Sequence, residues 1–429
     1  MKKLLSFTLM AMIGLWLFSC SEDEKISPSE VGRVDIPDQF SPLTVEQNKV
    51  KIEDNGQELI TQLDGLENLP AIEVLTSFAD FSSTSSPEAT GGRIVLDATA
   101  RLATGQGSVS DVFSAMRMSE TEPESLQELF DEYTGTFTWN MQLQQWDFVA
   151  GTGKVDFLFP SSSSANSNDA KISIHSYTSI TGPTPIEDYS GDLPTQVKID
   201  VSKAGTNVLQ YVFNAKYNAQ GEPTEVNTSM TLSPYKWEIK VINTSSEASA
   251  EYKLSKGTTT LIAMGAGAKG QFTESAFNTN DGEGVLNTAN AYFQLMNVVI
   301  AGNVDYVKVE TGYNDIYPEE WPENFDGDAA LASEVKLLND NVQLVVFFAD
   351  TKQKIADSEF YSYEETDEYY TGYYDENGVW VEQIHTSHYT AIDIRLIFAD
   401  GSKSNLETYF DSGFENITTD LEDFLEGFN

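Results

Sequence analysis

Few residues in this chain are of the kind that carry chemistry, so their spacing decides what they can do. There are three histidines and one cysteine. His385-Thr-Ser-His388 has the composition of a metal pair. On a strand, however, an offset of three sends two side chains to opposite faces, and a structural metal needs several clustered ligands. The spacing therefore reads as two ordinary histidines, and His175 as a polar-face residue of a strand. Gly265-Ala-Gly267-Ala-Lys-Gly270 matches Gly-x-Gly-x-x-Gly. A dinucleotide loop needs a following helix whose N-terminus holds the pyrophosphate, whereas Gln271–Phe277 alternates and is soon broken by Asn278–Gly284. That context points to a glycine-rich hairpin turn. No Gly-x-Ser-x-Gly elbow is present, so no catalytic residue and no cofactor is assigned. Tyr313–Asp328 is rich in oxygen ligands, and calcium takes about six to eight of them. Aligning Gly327 with the EF-hand glycine puts Pro322 and Ser333 at the first and last ligand positions, where neither works. Asp315, Asp326 and Asp328 remain as candidates for an irregular calcium site, beside the plainer reading of a solvated acidic loop.

The remaining chemistry is an address. Lys2 and Lys3 precede an apolar run, Leu4–Phe18, which ends in Leu17-Phe18-Ser19-Cys20 and is followed by Ser21-Glu22-Asp23-Glu24. A basic start, a short apolar stretch and a small residue before the cut describe a secretory signal. The run falls short of the roughly 20 residues a membrane-spanning helix needs. Leu17-x-Ser19-Cys20 resembles the lipobox of bacterial lipoproteins. The resemblance implies cleavage between Ser19 and Cys20, a diacylglycerol on the Cys20 thiol, and acylation of the new amine by a fatty acid such as palmitate. More than one chain is needed for stable anchoring, because each buried methylene contributes only about 0.8 kcal/mol. Ser21, Glu22, Asp23 and Glu24 resemble the export signal of surface-exposed lipoproteins of the Bacteroidota. That implies an outer-membrane protein, lipid-anchored and facing the cell exterior.

Composition narrows the partners. The net charge is −42, and losing residues 1–19 removes two lysines and no acid. So acidic a chain excludes nucleic acid, whose phosphates need Lys and Arg, and excludes docking on anionic lipid through its own surface. The membrane is reached through the lipid on Cys20 alone. The acid is uneven, since residues 310–429 hold 28 Asp and Glu against 5 Lys and Arg. With no second cysteine there is no disulfide, and stability must come from burial or from bound metal.

Periodicity then gives the elements that position these groups. Residues 20–42, with Pro28, Pro37 and Pro42, read as a flexible tether. Residues 43–134 read as helical. Thr44 and Gln47 form a capping-box pattern ahead of a helix over 45–63, which Asp54-Asn55-Gly56 threatens to break. Pro70 opens a second helix to Phe81, and short helices follow at 109–118 and 124–133. Residues 135–429 are β-rich, with a candidate sub-boundary near 278–288. Strands are expected from Phe137 onward, including 258–264, 271–277, 292–302, 304–310, 342–349, 359–363, 369–374, 379–385, 390–398 and 405–410. Phe348-Ala-Asp350 and Phe398-Ala-Asp400 echo each other as hairpin grammar. Ile417, Leu421, Phe424, Leu425 and Phe428 mark a closing amphipathic helix. The expected class is α+β: N-terminal helices packed on a large antiparallel meander or curved sheet, with a C-terminal amphipathic helix.

Gly-x-Phe-x-Trp…Trp-x-Phe…Phe-Pro over residues 135–160, with the helical preface, resembles uncharacterised lipoproteins of the Bacteroidota, which implies no activity. Three functions fit. The first is a surface-anchored binding protein whose aromatic rows, such as Tyr361/Tyr363/Tyr369/Tyr370/Tyr373/Tyr374, and acidic loops meet a glycan, a cation or a protein partner. The second is a periplasm-facing carrier that encloses an apolar lipid between sheet and helices. The third is an anchored hydrolase, which a histidine–carboxylate contact in a cleft would favour.

Overall fold

The computed structural model describes residues 33–82, 127, 130–131, 133–181, 192–278, 284–318, 320, 322, 324–374, 377–406 and 408–410. The expected lipobox and export residues Ser19 to Glu24 and the expected helices at 109–118 and 417–428 lie outside them. The described chain is mostly β with a few helices, built on one large mixed sheet.

The helices come first. α1 runs Val45–Leu63 and α2 runs Pro70–Ser82. Thr44 caps α1 as a capping box, its Oγ1 accepting from the Gln47 amide at 3.2 Å while Gln47 Oε1 accepts from the Thr44 amide at 3.0 Å. The expected break at Asp54-Asn55-Gly56 does not occur. Asn55 instead gives its side chain to both sides, donating to Lys51 O at 2.6 Å and accepting from the Asn297 amide at 3.0 Å. Those bonds offset the poor helical propensity of Asn and Gly.

The strands are β1 (Gly135–Asn140), β2 (Gln145–Ala150), β3 (Val155–Phe159), β4 (Ala170–Thr181), β5 (Asp192–Lys203), β6 (Thr206–Tyr217), β7 (Pro223–Leu232) and β8 (Tyr235–Asn243). They continue with β9 (Glu247–Lys256), β10 (Thr259–Gly270), β11 (Leu286–Leu295), β12 (Val298–Asp305), β13 (Val342–Phe348), β14 (Gln353–Tyr374), β15 (Trp380–Ile397) and β16 (Lys403–Asn405). Between them lie α3 (Glu274–Phe277), α4 (Tyr306–Ile316) and α5 (Gly327–Asn341). From β16 back to β3 each strand pairs antiparallel with its chain neighbour; only β1 departs, inserting between β3 and β2 and pairing parallel with β3. β10 pairs with β11 from Ile262 to Gly270, so one sheet continues on either side of the candidate sub-boundary near 278–288.

Alternation sorts the sheet into an apolar face covered by the helices and an opposite face that is polar over β3 to β6 but carries an apolar cluster over β10 to β13. On the apolar face α2 sets Val74, Leu75 and Phe78 among Phe157, Phe159, Ile172, Ile199 and Phe213. α1 sets Leu59 and Leu63 against Tyr235, Leu254 and Leu261, and Ile52 against Val346, Phe348 and Leu396. On the other face the chain before α1 is docked. Val34 packs with Tyr292, Val299 and Phe347. The Asn303 side chain accepts from Val34 N at 2.6 Å and donates to Val34 O at 2.9 Å. Lys354 N donates to Gln39 O, and Ser41 N to Lys354 O. The expected flexible tether is thus anchored over 33–42, where buried apolar contact and strand-like pairing outweigh the proline and acidic composition.

Candidate functional site

The sequence motifs land as follows. Gly265–Gly270 is the end of β10, neither a dinucleotide loop nor the expected hairpin turn. Its first glycine makes room for a ring, because a Cβ there would lie 2.5 Å from Cε1 of Tyr292 on the neighbouring strand. The expected strand at 304–310 is largely α4, whose N-cap Asp305 accepts from the Lys308 amide. Asp326 caps α5, accepting from the Ala329 amide at 3.1 Å, while Asp328 lies in the first turn of α5 and Asp315 near the end of α4. Among the described residues no group of three or more His, Cys, Asp or Glu converges as a metal site. No helix among them is long and apolar enough to cross a membrane.

A histidine–carboxylate contact does exist. His175 Nε2 lies 2.7 Å from Asp200 Oδ2, and Gln210 Nε2 donates to Asp200 Oδ1 at 2.9 Å. It sits half-exposed on the polar face of the sheet, in a row of cross-strand polar pairs. Nearby Asp156 is buried. Lys154, Lys171 and Ser173 reach it at 2.7, 3.0 and 2.6 Å. Beneath α2 the apolar face is filled by the protein's own rings. Phe78 lies 5.5 Å from Phe157 and 5.1 Å from Phe159, and Phe81 lies 4.9 Å from Trp139.

The aromatic row lies on two long strands where four short ones are expected, at 359–363, 369–374, 379–385 and 390–398. β14 and β15 are continuous through 364–368 and 386–389, and each of the 18 residues of β15 has a partner in β14. At a strand rise of about 3.4 Å this ribbon is about 60 Å long. β13 pairs with β14 only as far as Ala356, and β16 with β15 only from Arg395 to Ile397. Beyond those points, among the described residues, the ribbon stands as two strands.

Its root is clamped. Glu359 Oε1 accepts from Arg395 Nε at 2.6 Å and Lys403 Nζ at 2.5 Å. The Lys403 hydrogen bond, with Arg395 beside it, holds the Glu359 carboxyl below its usual range against the opposing effect of burial. The Arg395 guanidinium lies 4.3 Å from the Tyr361 ring centroid. On the edge of β14, the Asn339 side chain of α5 donates to Phe360 O at 2.9 Å and accepts from Phe360 N at 2.8 Å, standing in for a neighbouring strand at one position.

Further out the pairs are aromatic. Tyr369 stacks on His385 with centroids 5.4 Å apart, and Tyr374 meets Trp380 edge-on at 5.1 Å. The Trp380 indole lies over Gly372, where a Cβ would be 2.2 Å from Cζ2. His388 faces Thr366 on the opposite side from His385, as the offset of three requires. Tyr370 is 62% and Tyr374 70% exposed, and Tyr369, Tyr373, Trp380, Ile384 and Tyr389 are exposed with them. The Glu365 carboxylate accepts from Tyr363 Oη at 3.0 Å and pushes that phenol's pKa up. Residues 362–391 hold seven acidic side chains and no lysine or arginine. An arm so built presents flat π-faces beside carboxylates. Its continuity and the Asn339 seal escaped the sequence reading, for which the acidic run looked like a break.

Comparison with protein-family models, curated proteins and solved structures finds no match for this chain.

Proposed function

We propose that this is a lipid-anchored binding protein of the outer membrane, held through Cys20, taken to the exterior by Ser21-Glu22-Asp23-Glu24, and meeting its partner with the β14–β15 arm. The fold that carries the arm is read as N-terminal helices laid on a curved meander, with residues 417–428 closing it as an amphipathic helix. The observation behind the binding reading is the arm itself. A protein that leaves about 45 Å of two-stranded ribbon in solvent, lined with tyrosine and tryptophan, keeps a surface that isolated hairpins cannot stabilise well and that invites aggregation. Such a surface is retained for contact. The filled apolar face under α2 favours this over a lipid carrier, and the half-exposed position of His175 and Asp200 in a row of cross-strand polar pairs favours it over a hydrolase.

The test is protease shaving of intact cells, comparing tagged wild type with a variant in which Glu22, Asp23 and Glu24 are alanine. Wild type is expected to lose the arm to protease while the variant is protected, with both released from the membrane by a Cys20→Ser change. Protection of wild type in intact cells overturns the outward orientation.

A further inference from the structure

Phe360 shows which way the backbone of the arm points. Both its amide and its carbonyl go to Asn339, away from β15. With no register shift in the ribbon, the same orientation recurs every second residue, at Ser362, Glu364, Thr366, Glu368 and Tyr370. Among the described residues no strand pairs with this edge. It therefore offers a row of donors and acceptors that fits an added strand. The side chains flanking the edge alternate in kind. Tyr363, Glu365, Asp367 and Tyr369 line one face, and Glu364, Glu368 and Tyr370 the other. A second copy of the chain brings the same carboxylates and is repelled. A strand whose alternate Lys or Arg side chains fall on the face of Tyr363, Glu365, Asp367 and Tyr369 meets a carboxylate or a tyrosine ring at every position, and on the other face meets Glu364, Glu368 and Tyr370 with Ser362 and Thr366 between them; either way it gains ion pairing and cation–π contact.

We infer that the outer edge of β14, between Ser362 and Tyr370, takes an extended Lys/Arg-bearing segment of another protein as an added strand. This rests on the reading of the arm as the binding element and specifies its partner.

The experiment uses the full-length chain in detergent and a fluorescent peptide of alternating arginine and valine, with the glutamate–valine peptide as control. The arginine peptide is expected to bind, to weaken at least tenfold between 50 and 500 mM salt, and not to be matched by the glutamate peptide. Thr366→Pro removes one outward amide and should weaken binding at least tenfold. So should Tyr369→Ser with Tyr370→Ser, which leaves the charge untouched. Equal binding by wild type and both variants overturns the proposal, since it shows diffuse attraction to an acidic protein. Arm-dependent binding to a polysaccharide array, with no preference between the peptides, overturns the cationic-strand proposal but keeps the arm as the binding element. Loss of neither ligand on replacing 362–391 with Asn-Gly overturns both. A melting temperature unchanged by Thr366→Pro shows that the ribbon itself survives.

Discussion

Asp156 lies on the polar face of the sheet with 6% of its surface exposed, and it can stay there because three donors converge on it. Burial pushes its pKa up, but hydrogen bonds from Lys154, Ser173 and Lys171 outweigh burial and hold it below the usual carboxylate range. Lys154 is raised in return, chiefly by Asp156. A carboxyl whose folded pKa is depressed contributes stability that is fully present above its unfolded pKa, about 3.9, and is lost as pH falls through the folded value. Asp156→Asn keeps the shape and removes the charge. It should cost about 2 kcal/mol at pH 7, by leaving two half-exposed lysines without their partner. It should also flatten the acid limb below about pH 4. Urea melts from pH 7 to pH 3 on both proteins measure this. Parallel loss of stability by wild type and variant over that range means the carboxylate is not the group being protonated. Nothing in the sequence singled out Asp156 from the other acids, because Lys171 and Ser173 join Lys154 on it only once the register of β3 and β4 is set.

The elements were legible to unequal degrees. α1 and α2 carry their signals locally, in a capping box and a proline start, so both were read at nearly their true bounds. The short-range echo at Phe348 and Phe398 was also legible: each opens a turn, with Lys352 N donating to Phe348 O and Gly401 N to Phe398 O. Sequence pattern alone interrupts both strands of the arm, because Glu364-Glu365-Thr366-Asp367-Glu368 has poor strand propensity. Its strand character comes from partners about twenty residues away, such as His388 for Thr366, which no local window contains. The docked segment 33–42 was missed for the same reason, its partners being Asn303 and Lys354. Asn339 is the element-scale test. It replaces a strand at Phe360, so Asn339→Ala removes two hydrogen bonds and leaves that edge to water. The expected cost is about 1–2 kcal/mol, felt locally. Amide exchange at Phe360 should quicken about tenfold, each tenfold corresponding to about 1.4 kcal/mol, while the amides of β4 to β6 stay protected. Unchanged exchange at Phe360 means the edge is closed by something other than Asn339.

At the scale of the whole molecule the difficulty is cooperativity. A sheet of 16 strands in almost sequential order makes mostly neighbour contacts, and an array of that kind can melt from either end. The helices oppose this. α1 has 19 residues, so it is about 28 Å long, which spans about six strands at roughly 4.8 Å each. The clusters it joins run somewhat wider, over the eight strands β8 to β15. Ile52 sits with β12, β13 and β15, and Leu59 and Leu63 with β8 to β10. The Gln62 carbonyl near its end accepts from Tyr235 Oη at 2.6 Å and Lys256 Nζ at 2.7 Å. α2 takes over from there, covering β1 and β3 to β7. The two helices thus lie across the strands as one continuous tie. Leu59→Ala with Leu63→Ala releases the middle of that tie. Each substitution should cost about 2–5 kcal/mol, and the larger effect should be on the form of unfolding. Wild type is expected to lose protection in all strands together, whereas the double variant should lose it in β8 to β15 before β3 to β6, with a calorimetric enthalpy exceeding the van't Hoff value. If both ends of the sheet still unfold together in the double variant, the coupling runs through the strands themselves, and the helices only cover the apolar face.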